Sequence, residues 1–558
     1  MGKFIRHIVF ILCCNALLWH QANAAVKIPV TTSGNLSVSG FHYNYSGFQS
    51  TQKPFGYLFS GNLTPVIGGV TLPFSFIFTD NSKLIKQPFS QFGISPTYRW
   101  IRFYAGHSIM NFSSSTLFGK TILGAGIEMN PKLFRFAAIG GQFTNYNKED
   151  TLIPGQVPHY RRLGFATKIG LGNANNYIDF SYLQAKDDST SIPHLIRYNE
   201  IITPSYDQVF GSSARFGIFR RIFFEADVSG SLFTRDMSAT KLFTDSIIIS
   251  NFKYYKQLKG FLPLNSSTGF FKAIHSTLTF RKNYYSLGID YKLIDDGYQS
   301  MGVDFIQADI KSYQVQASAA FWKNHLLMNG GAGIQQDNVS RQKGYTTGRN
   351  IYNMTINFIP NSHWIVYSSF ANYATAQRPG KRRRLNDTIR LDQATLNFLI
   401  TPRYTIVGKN TQHSFGLVYN FMQLADKNKY TSEFTQNNIN NANLSYTLSF
   451  MKELFNVTTS LNYTNVFSYA GTIENVGVSV VSGKQLFKNK VSINLAETFI
   501  GNWLQHHTNG VTNILSFTSN YAFIKHQSLQ FSLSYMDGNL YLQKTSEFRV
   551  ELGYFYNF

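Results

Sequence analysis

His506 and His507 come nearest to a metal site in this chain. Neighbours on an extended chain point to opposite faces, however, and no third ligand stands at a metal-like spacing, so the pair reads as part of a polar Gly/Asn-rich loop. Gly330-Gly331-Ala332-Gly333 has the composition of a phosphate-cradling loop but lacks the Lys-Ser/Thr that must follow. Glycines here more simply bend a strand or let bulky neighbours pack. The densest charge run is Lys381-Arg382-Arg383-Arg384, which Pro379-Gly380 and Asn386-Asp387 place on a loop. Several arginines together chelate phosphate oxygens, so this run is the candidate contact for lipopolysaccharide phosphates or an acidic partner; the plainer alternative is a solvated loop. No local grouping of Ser, His and acidic residues singles out a triad. The expectation is a non-enzyme with no catalytic residue, no metal site and no cofactor.

Cys13 and Cys14, the two cysteines, lie in an apolar stretch from Ile8 to Trp19 that follows Lys3, Arg6 and His7 and precedes Ala22-Asn23-Ala24. A basic start, an apolar run of about 12 residues and a small-x-small site make a secretory signal, too short to span a bilayer. The reading is a signal peptide at 1–24 and an exported chain at 25–558 that holds no cysteine. No disulfide or zinc–thiolate site is then possible. Phe10-Ile11-Leu12 lacks the small residue usual beside a lipidated cysteine.

Charged residues make up 14% of the chain and aromatic residues 16%, with a mean hydropathy of -0.15. Soluble domains carry about 25% charged residues, and helical membrane proteins need apolar runs of roughly 20. The chain fits neither class, and its 50 Phe and 33 Tyr exclude disorder. A net charge of +22 would suggest nucleic acid in a cytosolic protein. For an exported one the nearer anions are membrane lipid phosphates, and no nucleic-acid partner is expected.

The elements that must carry these residues show in a period of two. Phe455, Val457, Leu461 and Tyr463 alternate with Asn456, Thr458, Ser460, Asn462 and Thr464; Val70, Leu72, Phe74, Phe76 and Phe78 form a similar series. Successive strand side chains point to opposite faces, so one face is apolar and the other polar. A soluble β-sandwich alternates too. These segments run about 9 to 12 residues, as tilted transmembrane strands do, with aromatics such as Trp100, Trp364 and Tyr373 near their ends. The final segment keeps Phe548, Val550, Leu552, Tyr554, Tyr556 and Phe558 on one face.

Gly553-Tyr554-Phe555-Tyr556-Asn557-Phe558 resembles the C-terminal assembly signal of Gram-negative outer-membrane β-barrels, with Gly553, Tyr556 and Phe558 at the signal positions. Leu552 departs from the polar residue that usually precedes the glycine. The resemblance implies an outer-membrane location and handling by the barrel-assembly machinery. The Tyr-, Phe- and Asn-rich texture also resembles large Bacteroidota barrels, as does Trp100 to Ser108 followed by Asn111-Phe112-Ser113 and Thr116-Leu117. That group implies no activity.

Turn-like breaks recur near Pro65, Arg99, Pro131, Asn175, Arg221, Lys282, Lys323, Pro360, Pro402, Lys452, Lys488 and Lys525. Twelve inner turns imply an all-β, antiparallel, up-and-down transmembrane barrel of about 26 strands, with 24 to 28 allowed. The uncertainty lies between 234 and 345, where Ile310 to Ser312 reads as a turn and 241–260 as a further strand. Alternation starts near Leu36, which leaves no room for an N-terminal plug. Loops at 187–212, 234–272 and 334–350 are the candidates to narrow the lumen. The expected function is a channel or translocation pore for polar or anionic solutes or an exported chain, the anion bias following from net charge. The alternative is a scaffold that docks a surface lipoprotein, adhesin or secretion component.

Overall fold

A computed structural model describes residues 29–47, 54–79, 90–146, 158–192, 196–197, 200–240, 264–380, 387–540 and 543–558. The signal segment at 1–24, the run Lys381 to Arg384 and the stretch at 241–260 lie outside the described residues.

Each strand pairs antiparallel with the next, from Val30–Ser46 round to Gln543–Asn557, and these two end strands pair with each other. Val38 stands opposite Tyr554 and Tyr45 opposite Glu547, which closes the cylinder. A closed ladder leaves no open edge, the condition for strands to cross a bilayer. The wall has 26 strands, matching the sequence expectation. Two of them are interrupted, at Pro73 between Val70–Thr71 and Phe74–Thr79, and at Pro96 between Ser90–Ile94 and Thr97–Tyr98. Proline has no N–H to give to a ladder.

Short turns at 68–69, 99–100, 130–133, 173–176, 219–221, 283–284, 322–325, 359–363, 408–410, 451–454, 487–490 and 525–526 join strands at one end. The other end carries most of the longer connections. Many short turns use left-handed backbone, as at Asn283, Asn324 and Asn489. Asparagine tolerates that region because its side chain bonds locally. Eleven turns fall within three residues of their expected places. The exception is Pro402, which sits inside Asp392–Val407 opposite Val366; the turn comes later, at 408–410. The ladder to the following strand resumes at Arg403 opposite Gly416 in unchanged register, so the missing N–H interrupts pairing without ending the strand. Ile310 to Ser312, read as a turn, opens the strand Ile310–Phe321 instead.

Alternation sorts the two faces as expected. Leu461, Tyr463 and Phe467 are exposed on the outer wall, whereas Asn462 turns inward and donates to Ser479 Oγ at 2.7 Å. On the outside, Phe59, Phe74, Phe76 and Phe78 pack edge to edge over Gly61, with Phe59 and Phe76 centroids 4.8 Å apart.

One inner-face row was not anticipated. Gly93, Gly106, Gly124, Gly141 and Gly164 lie opposite one another on five successive strands. A Cβ at Gly124 would come within 2.0 Å of the Gly140 carbonyl oxygen, and one at Gly141 within 2.3 Å of the Leu123 oxygen. The backbones approach so closely that this row is a crease in the wall that only glycine fits. Gly124→Val should abolish refolding, a loss above about 4 kcal/mol. The readout is the heat-modifiable compact band on a denaturing gel. Gly348→Ala, whose new methyl has only the Ala376 oxygen at 3.9 Å, should refold normally.

Candidate functional site

The site is the lumen. Two long-end connections fold into it: residues 110–120, after Ile101–Ile109, and residues 295–309, after Tyr285–Ile294. They join through a two-residue parallel bridge, Leu117–Phe118 beside Gly302–Val303, and through an ion pair between Lys120 and Asp304. Both pack on the inner face of the creased sector. Leu117, Ile122, Leu183 and Val209 are fully buried there, with Ala137, Ile139, Ala166 and Met301 around them. The outer face of the same strands stays exposed and apolar, as at Phe165, Phe180 and Phe210. Fully burying such side chains stabilises the inward fold by about 1.5 to 3 kcal/mol each.

Polar contacts fix the fit. Asp207, on Tyr206–Ile218, accepts from Ser231 Oγ at 2.9 Å and from the Met301 backbone N–H at 2.8 Å. Tyr298 Oη donates to the Ser115 carbonyl at 2.7 Å and lies 2.7 Å from Ser229 Oγ. Ser300 Oγ donates to the Thr116 carbonyl at 2.6 Å. Thr116 Oγ1 in turn reaches Ser181 at 3.4 Å, well down the wall. Burial pushes the Tyr298 phenol above its ordinary range, so it stays a neutral donor at physiological pH. A third connection, 337–344, braces the inward pair. The Val339 N–H donates to Asp309 at 2.7 Å, Ser340 Oγ donates to Asp296 at 2.9 Å, and Lys343 pairs with Asp309. Burial alone would raise the Asp309 carboxyl, but Lys343 and the Val339 N–H hold it below the usual carboxylate range.

Below the inward segments much of the lumen charge is paired, while Lys292, Arg349 and Arg403 also face inward with no ion pair among the described residues. Arg135 grips Asp179 with both arms at 2.8 and 3.0 Å, and Lys168 lies 3.8 Å from the same carboxylate. Arg215 donates to Glu225 at 2.7 Å and His275 meets Asp290 at 2.6 Å. The facing sector is neutral and bonded across strands: Thr447 to Thr458 at 2.8 Å, Asn462 to Ser479, and Asn502 to Thr512 at 3.2 Å. Beside the 295–309 segment a polar cavity of about 230 Å³ is lined by Gln307, Asp309, Gln335, Asp337, Lys343 and Arg349.

The sequence candidates fall elsewhere. His506 occupies the tight turn at 505–506, 3.5 Å from Glu474, and His507 begins the strand His507–Ile524. Gly330, Gly331 and Gly333 are wall residues of Leu326–Gln336. Gly553, Tyr556 and Phe558 belong to the closing edge, where the Phe558 N–H donates to the Gly34 carbonyl at 2.9 Å. Of the loops expected to narrow the lumen, 334–350 holds the bracing connection, and parts of 187–212 and 234–272 lie outside the described residues; among the described residues the segments that enter are 110–120 and 295–309. A signal for them existed: Phe134–Thr144 reads Phe-Arg-Phe-Ala-Ala-Ile-Gly-Gly-Gln-Phe-Thr, without clean alternation. A wall strand apolar on both faces needs a cover on its inner side.

No family model and no curated protein matches the chain. Among solved structures it is similar to Pseudomonas aeruginosa OpdQ (13% identity, TM-score 0.34, 66% of this chain and 97% of that one). It is also similar to the P pilus usher PapC translocation pore (10%, 0.37, 95% and 100%) and to a mutant of the ferric enterobactin receptor PfeA of Pseudomonas aeruginosa (10%, 0.39, 96% and 81%).

Asp207→Leu removes the acceptor shared by Ser231 and Met301 and should favour local detachment of 295–309 by about 1 to 3 kcal/mol. Amide exchange in that segment should accelerate roughly five- to 150-fold while exchange in the wall strands stays unchanged. The Asp309 contact has its own pH signature. Its folded carboxyl lies below the unfolded value of about 3.9, so its contribution is full above that value and is lost as pH falls through the lower folded one. Protection in 337–344, exchange relative to the unstructured rate at each pH, should be flat from pH 7 to about 5 and fall only below about 4, and Asp309→Asn should remove that step.

Proposed function

We propose that this chain is an outer-membrane β-barrel that serves as a channel or translocation pore for polar solutes or an exported chain. The observation that carries this reading is the sorting of the closed wall: exposed apolar side chains outside, hydrogen-bonded and ion-paired side chains inside. A cylinder of this strand number encloses more space than its own side chains fill, since 16 to 18 strands already leave an aqueous channel. Two segments held by Asp207, Tyr298 and Ser300 occupy part of that space and limit what passes. The many paired lumen charges favour polar cargo, and the inward Lys292, Arg349 and Arg403, without ion pairs among the described residues, admit anionic solutes as well. In the same reading, Gly553, Tyr556 and Phe558 act as the assembly signal, since they lie on the strand that closes the barrel.

Single-channel recording in planar bilayers tests the proposal. The intact protein should give small steps with little preference between cation and anion. Replacing 110–120 with a short Gly-Ser linker should raise conductance by about twofold or more, because the obstruction rather than the wall sets the narrowest section. Silence from both forms would count against a pore.

A further inference from the structure

We infer that the short-turn rim of the barrel is a binding collar for anionic phospholipid headgroups. The inference rests on the membrane-barrel reading above and adds a ligand class to it. Six short turns place a cation beside an exposed large apolar side chain: Arg99 with Trp100, Lys132 with Leu133, Arg220 with Phe219, Lys323 with Trp322, Lys488 with Phe487 and Lys525 with Ile524. Lys409 and Lys452 bring the basic turns to eight of the twelve, Lys282 ends the strand that leads into a ninth, and Glu453 is the single acid within the turns. The exposure is large, 88% at Phe219, 74% at Phe487 and 68% at Trp322. None of these nine turns' cations has an ion-pair partner among the described residues.

The opposite end differs. There, among the described residues, some cations are held in ion pairs with neighbouring connections, Lys120 with Asp304, Arg161 with Asp188 and Lys343 with Asp309, while others such as Arg341, Arg378 and Lys427 are not. The described short-turn cations stand unpaired at the rim that also carries both ends of the wall, Val30 and Asn557.

Two features select the occupant. In six of these turns the cation adjoins an exposed apolar side chain at the edge of the lipid-facing wall, which suits a surface where acyl chains meet phosphates. The cations are also spread over turns from residue 99 to residue 526, around most of the circumference. A docked protein would touch one arc, whereas a leaflet touches the whole ring. Free lysine and arginine at this depth attract anionic headgroups by roughly fivefold per cation at low salt.

The rim supplies its own reporters, because Trp100, Trp322 and Trp364 all lie at it. The purified barrel is reconstituted into phosphatidylcholine vesicles in which a fifth of the lipid is brominated phosphatidylglycerol or, in parallel, brominated phosphatidylcholine. At low salt, tryptophan quenching should be about threefold stronger with the brominated phosphatidylglycerol. The excess should vanish at high salt and in the variant combining Arg99→Gln, Lys323→Gln, Lys452→Gln, Lys488→Gln and Lys525→Gln. These exposed turn changes should leave the heat-modifiable folded band intact, which separates lost binding from lost folding. Equal quenching by the two lipids, or a preference that survives in the variant, would overturn the collar while leaving the membrane barrel standing. Failure to insert or to be quenched in either vesicle would overturn both.

Discussion

Closure of the backbone ladder governs everything else in this molecule. A bilayer offers no water to an unpaired N–H or carbonyl, each costing several kcal/mol, so the first and last strands must find each other across the whole length of the chain. Val30–Ser46 and Gln543–Asn557 do so in a continuous register, from Asn35 opposite Asn557 to Ser46 opposite Ser546. Once that pairing is set, every wall residue is assigned a face by parity alone. Alternation then becomes an obligation: apolar side chains outside, where a charge costs about 2 to 4 kcal/mol at mid-depth, and hydrogen-bonding side chains within.

Closure also creates the problem that the inward segments address. A cylinder this wide cannot pack its own interior, yet the sector from Thr121–Met129 to Ile222–Thr234 turns aliphatic side chains into the lumen. Residues 110–120 and 295–309 cover them with Leu117 and Met301, and the glycine crease belongs to the same sector. The buried acceptor Asp207 is what makes the fit specific, since it binds one wall hydroxyl and one backbone N–H of the inward segment at once. The remaining lumen carries paired acid and base on one side, neutral amide and hydroxyl on the other, and, among the described residues, a few unpaired cations such as Arg349 and Arg403.

Charge is sorted along the barrel axis as well as by face. Summed over the sequence, +22 suggests an anion-attracting protein. In the folded chain, Arg135, Lys168 and Arg215 are answered by Asp179 and Glu225, and Lys343 in a long connection by Asp309. Among the described residues, unpaired cations line the short turns, in six of them beside an exposed apolar neighbour. Net charge fixed the sign of the attraction but not its place.

The sequence alone determined what depends on local chemistry. Period-two alternation set the wall and its faces, and residues tolerant of left-handed backbone marked the turns, so the strand number was readable from the turn count. Pro402 misled because a proline inside a long ladder removes one donor without ending the strand. Only the tertiary structure decided which segments enter the lumen, which glycines align into a crease and which charges cancel. Gly124 and Gly141, or Asp207 and Met301, lie far apart along the chain or look ordinary within it, and their meaning arises from strand register and from contacts across the lumen. Such relations are set by global closure, which no window of neighbouring residues encodes.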